Sequence, residues 1–243
     1  MLANELVSAT AAKLGSVGAV HYFDQSVLSQ AKQHGLDGMR MYFLGRGGVL
    51  GDVESHVVWG AFGYFNPAVV AKMWNSAKEI MAPRDASRAY LRWAAELGDK
   101  LFADVAGLDA FNAAAARVLA EADPASLPLY AGYAEEPAPE SAAGAAIFHA
   151  IALRELRGSV HLLALVASGV DPLVAHAHRR PDDAKLFGYE ELPAVTNTDR
   201  ALIEEADRLT DSLMARHYSL LTAEECHALA AGTDALHAAL PQS

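Results

Sequence analysis

The sequence predicts an all-α protein, a multi-helix bundle around one long buried central helix, with no significant sheet. Hydrophobic residues make up 52% of the 243 residues but aromatic residues only 8%, and this alanine-rich composition is typical of closely packed helices. No stretch alternates polar and apolar residues over the length of a strand. Helix-capping residues instead recur in front of apolar segments along the chain.

The central helix is predicted over residues 143–169, which are apolar on most sides. At about 100° per residue, four of its polar side chains share an arc of roughly 140°: His149, Arg154, Arg157 and His161. A helix of this composition is normally buried, and buried arginine and histidine need partners or a ligand. The strip therefore predicts a polar pocket inside the bundle.

Capping signals place the other helices. Asp24 can cap a helix that Gly35 ends, Asn66 stands before a proline at the first helical position, and Thr222 begins a capping box. A glycine-rich loop is predicted at residues 45–51. Irregular segments are predicted at 123–142 and 181–197. Helices are predicted at residues 2–16, 26–34, 52–65, 67–81, 83–107, 108–122, 172–180, 198–220 and from 223 onward.

Three parts follow from this pattern. Residues 1–122 form an N-terminal helical part, 123–142 a proline-rich connection, and 143–243 the central helix with a C-terminal helical pair. We expect the first and third parts to pack as one unit. The connection, with four prolines and little periodicity, is the candidate for a boundary or a mobile lid.

Composition also limits the partners and the compartment. The net charge of −11 opposes a large surface for nucleic acid, whose affinity depends on clustered lysine and arginine. No uncharged apolar run has the length of a transmembrane helix, so no membrane partner is expected. A single cysteine, Cys226, excludes an internal disulfide and fits a reducing cytoplasm. We expect a cytoplasmic protein that binds a small molecule, with the C-terminal helices as a candidate homodimer interface.

The candidate site is built on Arg154, Arg157 and His161. Two guanidinium groups three residues apart can clamp a carboxylate or phosphate, and a histidine one turn further can donate, accept or ligate. A structural alternative is open: these side chains could pair with internal carboxylates such as Glu155, Asp211 or Asp52 and tie helices together. Glu155 lies on a different arc, so we expect it to hold another helix.

Further ligand contacts are expected from the first seventy residues. The loop at 45–51 could expose backbone N–H groups as an anion nest beside Arg46, or could be a tight interhelical turn. The aromatic residues around it fit either the core or a pocket wall. Apart from the central helix, the candidate ligand-binding residues are Arg46, Tyr22, His21, Phe62 and Phe65.

No metal site is expected. His176 and His178 are two residues apart on a predicted helix and so do not face each other, and the two arginines that follow would repel a cation. Haem or another tetrapyrrole is one candidate cofactor, because it needs a histidine ligand, arginine partners for its propionates and aromatic walls. The cofactor is otherwise unknown.

The blocks HYF (21–23), MYFLGRGGVLGDV (41–53), AFGYFNPAVV (61–70) and LRELRGSVHLLALVASGVDPL (153–173) resemble a family of uncharacterised actinobacterial helical proteins. That family is described as helix-turn-helix-like, with an L-R-E-x-R-G-x-x-H motif and a winged-helix segment after it. The C-terminal helices are loosely similar to the dimerisation helices of MarR-type regulators. The matching residues are Tyr22, Phe23, Arg46, Leu50, Gly51, Phe62, Phe65, Asn66, Pro67, Arg154, Glu155, Arg157, Gly158, His161, Thr210 and Asp211.

Two departures from the family pattern bear on function. Ser159-Val160 stands where the family has Asp-Gly, and the winged-helix segment is shortened to an acidic stretch at 179–197. We therefore expect a ligand-binding protein that kept its pocket and lost its DNA-reading element. The alternatives are an enzyme, with His161 as general acid or base and Arg154 and Arg157 stabilising negative charge, and a transcription regulator.

Overall fold

The computed structural model describes residues 1–241 and confirms the all-α prediction, since no strand occurs in that part of the chain. Twelve α-helices and three short 3₁₀ turns follow one another within it. The helices are α1 (Ala3–Val17), α2 (Gln25–Gln33), α3 (Gly38–Gly47), α4 (Ser55–Phe62), α5 (Pro67–Lys78), α6 (Pro83–Leu101), α7 (Leu108–Glu121), α8 (Pro128–Ala134), α9 (Ala142–Ala167), α10 (Pro172–Arg179), α11 (Asn197–Tyr218) and α12 (Ala223–Ala238).

Helix α9 is the centre of the bundle, as the apolar pattern predicts. Ser141 caps its first turn by accepting a hydrogen bond from the Gly144 amide at 3.2 Å. Helices α1, α6, α7, α8, α10 and α11 all pack against it. Most of its length is therefore buried, and polar side chains on this helix must find partners inside the protein.

The glycine-rich segment at 45–51 is not the predicted loop. Helix α3 continues to Gly47 and a 3₁₀ turn covers Gly48–Leu50. The glycines serve close packing: a Cβ on Gly45 would lie 2.7 Å from the Tyr90 ring, and one on Gly48 would lie 2.0 Å from the Pro83 carbonyl oxygen. Only Gly51 in this segment has a positive φ, 82°.

Other boundaries differ by a few residues. The predicted irregular segment 123–142 contains α8, which packs on α9. Helix α4 begins at Ser55, and Asp52 does not cap it but pairs with Lys78. Helix α11 begins earlier than predicted, since Thr196 and Asp199 form a capping box.

No single helix within residues 1–241 combines the length and hydropathy of a membrane span, although the bent pair α9 and α10 passes by length and composition alone.

Candidate functional site

A cavity of about 310 Å³ lies beside the second half of α9. Arg154, Arg157 and His161 all line it, so three of the four residues of the polar strip face a cavity. Helices α1, α3, α4, α10 and α11 supply other lining residues, together with the segment after α10. The central helix thus brings together chain segments that are far apart in sequence.

Arg46 and Arg154 are held by a single buried carboxylate. Arg46 Nε and Nη2 donate to the two oxygens of Glu155 at 2.9 and 2.7 Å, and Arg154 Nη1 donates to the same carboxylate at 2.8 Å. Glu155 is 1% exposed. Burial alone would raise the pKa of Glu155, but Arg46 and Arg154 outweigh it and lower that pKa. The expectation that Glu155 holds another helix is confirmed.

Two tyrosines complete this cluster. Tyr42 Oη accepts from Arg46 Nη1 at 3.0 Å, and Tyr22 Oη accepts from Arg154 Nη1 at 2.8 Å. The Arg46 guanidinium also lies 4.2 Å from the centroid of the Phe62 ring, a cation–π contact. The two arginines are therefore largely satisfied inside the protein, as the structural alternative predicts.

Arg157 and His161 face α11. Arg157 Nη2 donates to Asp211 at 2.8 Å, and His161 Nδ1 lies 3.0 Å from Thr210 Oγ1. Burial lowers the pKa of His161 to about 4, with a further contribution from Arg179, against a smaller opposing effect of Asp207. His161 is therefore neutral at pH 7. It lines the cavity with 18% of its side chain exposed.

The cavity is strongly cationic and partly aromatic. Asp207 is the one acidic side chain among the described residues that line it. Its salt bridge with Arg179 crosses from α11 to α10. Against that single acid, the lining includes Arg46, Arg154, Arg157, Arg179 and Arg180, and its aromatic residues include Tyr42, Phe62, Tyr64, Phe65 and Phe187.

The segment after α10 forms part of the wall. The rings of Phe187 and Phe65 stack with their centroids 4.1 Å apart. The backbone carbonyl oxygen of Phe187 accepts a hydrogen bond from the Asn66 amide at 2.9 Å. Gly188 follows with φ of 87°, and a Cβ there would lie 2.3 Å from the Val69 side chain. This segment therefore packs onto the aromatic wall of the cavity, which is formed by Phe62, Phe65 and Phe187.

Three predicted ligand-binding residues do not line the cavity. His149 donates from Nδ1 to Asn112 on α7 at 2.9 Å, and Tyr22 is committed to Arg154. His21 is fully buried beside Tyr90, neither of its ring nitrogens has a hydrogen-bond partner among residues 1–241, and burial lowers its pKa to about 3. Arg46, Arg154, Arg157, His161, Phe62 and Phe65 do line it.

Sequence reasoning missed several lining residues. Arg179 and Arg180 appeared as the basic end of a short helix, and Phe187 lay in a segment without periodicity. The cluster HAHRR at residues 176–180 was the available signal, since four basic side chains in five residues are unusual in an acidic chain.

His176 and His178 have different neighbours, as predicted. The ring centroids of His176 and Phe187 are 4.2 Å apart, and His178 Nδ1 lies 2.9 Å from Arg200 Nη1.

The sequence model of a helix-turn-helix family matches residues 7–190, about three quarters of the chain. That range includes the aromatic wall, the polar strip of α9 and the basic end of α10. Neither the curated proteins nor the solved structures contain a match.

Proposed function

The chain belongs to this helix-turn-helix family, and on that premise we propose that it is a binding protein for a small anionic ligand with an apolar, planar body. The ligand would occupy the cavity beside α9. Its anionic end would meet the arginines of α9 and α10, and its body would lie against Phe62, Phe65 and Phe187.

The observation that carries this proposal is the local charge. The whole chain has a net charge of −11, yet five arginines line the cavity with Asp207 as the one lining acid among the described residues. Even when the carboxylates Glu155 and Asp211, which pair with these arginines, are counted with Asp207, the arginines outnumber the acids. Such a concentration of positive charge in a partly enclosed site attracts anions.

The size of the cavity favours a small guest. Its volume of about 310 Å³ is at the lower end of the ~300–1,000 Å³ typical of ligand pockets. A benzoate-sized aromatic acid fits this range better than a tetrapyrrole does. Arg157 and Arg179 are each paired to a carboxylate by one nitrogen, so further N–H groups are available to an anion.

Native mass spectrometry of the purified full chain tests the proposal. We expect a mass increment that disappears on denaturation and belongs to an anionic organic molecule. Titration of the ligand-free chain with benzoate, followed by calorimetry, should then give saturable binding. A preparation that carries nothing and binds no aromatic acid would overturn the proposal, and a Soret band would identify haem as the guest instead.

Family membership favours a second candidate, a DNA-binding regulator. The net charge of −11 and the segment 181–197, which has four acidic side chains and one lysine, argue against it, because specific and non-specific DNA binding both depend on basic surface. Fluorescence anisotropy with a library of duplex DNA distinguishes the two. DNA binding that weakens steeply between about 50 and 200 mM salt would support the regulator.

A further inference from the structure

We propose that His161 accepts a hydrogen bond from the ligand through Nε2, so that the ligand is an apolar carboxylate which also carries a hydroxyl group. This inference rests on the proposed function and narrows it to a chemical class. It gives the cavity two separate recognition elements, arginine N–H groups for the anion and an imidazole lone pair for the hydroxyl.

The hydrogen-bond network fixes the tautomer of His161. Thr210 Oγ1 lies 2.7 Å from the Ala206 carbonyl oxygen, one turn back on α11, and 3.0 Å from His161 Nδ1. A carbonyl oxygen only accepts, so the single hydroxyl proton of Thr210 must point to Ala206. Thr210 therefore accepts from His161, and Nδ1 carries the proton.

The charge state of the ring follows from its surroundings. Arg157 on α9 and Arg179 on α10 flank it, and Asp207 and Asp211 on α11 are both engaged with those arginines. Burial together with the arginines keeps the ring neutral at pH 7. With Nδ1 protonated and the ring neutral, Nε2 has a lone pair and no proton. Within residues 1–241 the side-chain hydrogen bond of His161 is made by Nδ1, not by Nε2.

An unpaired acceptor in a small cavity discriminates between ligands. A ligand with a hydroxyl group donates a hydrogen bond to Nε2. An analogue with an ether in its place displaces water from Nε2 without supplying a hydrogen bond. Polar sites of this kind reject the analogue without the donor far more strongly than apolar pockets reject a missing methylene group. The ratio of the affinities for the hydroxylated ligand and for its ether is thus a direct measure of the proposed contact with Nε2.

The three hydroxybenzoate isomers, each paired with its methyl ether, are the probes for calorimetry on the full chain. At least one isomer should bind about tenfold more tightly than its ether, or better. In His161→Phe, which keeps a ring and removes both nitrogens, that preference should fall to within about twofold. The matched control His237→Phe, at an exposed position on α12, should keep it.

Nitrogen-15 NMR of the histidine rings tests the tautomer in the unmodified chain. We expect a protonated Nδ1 and an unprotonated Nε2 at pH 7 for the resonance that His161→Phe removes. The reverse tautomer overturns the inference. Equal binding of every hydroxybenzoate and its ether also overturns it while leaving the proposed function standing. Failure of all six probes to bind overturns the inference, and it overturns the proposed function as well if native mass spectrometry finds no anionic molecule on the chain.

Discussion

Arg46 and Glu155, which are 109 residues apart in sequence, face each other through two parallel hydrogen bonds in an almost solvent-free part of the bundle. The same carboxylate accepts from Arg154, so two cations share one anion. Paired hydrogen bonds of this kind fix orientation as well as distance. The contact holds α3 against α9 and sets one wall of the cavity.

Replacement of that carboxylate should be costly. Glu155→Gln removes the negative charge and leaves two arginines close together in a buried environment, which is expected to lower the free energy of unfolding by ~3–5 kcal/mol. Urea unfolding followed by circular dichroism measures this. Glu121→Gln, at an exposed position on α7, is the control and should change stability by less than ~0.5 kcal/mol. Equal effects of the two substitutions would show that the buried cluster does not stabilise the fold.

The elements of this fold could be predicted because their signals are local. Asp24 accepts from the Ser26 amide at 2.9 Å and Asn66 from the Ala68 amide at 2.9 Å, as their positions in front of apolar segments predict. The central helix, predicted over 143–169, is observed as Ala142–Ala167 because its apolar pattern continues for seven turns.

The partners inside the site could not be predicted in the same way. The sequence placed Arg154 and Arg157 on an inward face and Arg46 in a glycine-rich loop, but it left open whether acids or a ligand would satisfy them. Which acid meets which arginine depends on how α3, α9 and α11 pack, and capping residues and periodicity carry no information on that. Likewise, close helix packing at Gly45 and a flexible loop there have the same sequence pattern.

Gly45 gives a direct test of this packing. A Cβ there would lie 2.7 Å from the Tyr90 side chain, whose ring is fully buried and cannot withdraw. Gly45→Ala should lower the free energy of unfolding by ~1–3 kcal/mol, as overpacking does. Gly60→Ala, in α4 with open space around the new methyl group, should instead raise it by up to ~1 kcal/mol. Thermal unfolding of both variants distinguishes the expected loss of stability from the expected gain. Stabilisation by Gly45→Ala would contradict the close packing at this position.

Three histidines, two of them buried and His161 half-buried, should make the fold sensitive to acid. Burial is the largest cause that lowers the pKa of His21 to about 3 and those of His149 and His161 to about 4. The unfolded chain has ordinary values near ~6.5 and therefore binds more protons between about pH 4 and 6.5. Stability should be complete above pH 6.5 and fall as the pH decreases, by up to ~1.4 kcal/mol per pH unit for each histidine.

The urea midpoint at pH 7.5, 6.5 and 5.5 measures this dependence. His149→Gln removes one titrating group, while Asn112 can still pair with the new amide, so the slope below pH 6.5 should decrease. His237→Gln, at an exposed position, should leave the slope unchanged. A midpoint that stays constant down to pH 5.5 would mean that these rings are charged in the folded protein.

Arg157 and Arg117 form a matched pair for testing the anion site. Each is a partly exposed arginine bound to a carboxylate on another helix, Asp211 at 2.8 Å and Glu225 at 2.6 Å, but only Arg157 lines the cavity. Either ion pair should contribute at most ~1 kcal/mol to stability, so both alanine variants are expected to fold. Arg157→Ala should weaken benzoate binding by ~2 kcal/mol, about thirtyfold, because a charged contact in a partly enclosed site is lost. Arg117→Ala should bind like the unmodified chain in the same calorimetric titration. Equal affinity of the two variants would place the anion elsewhere than beside α9.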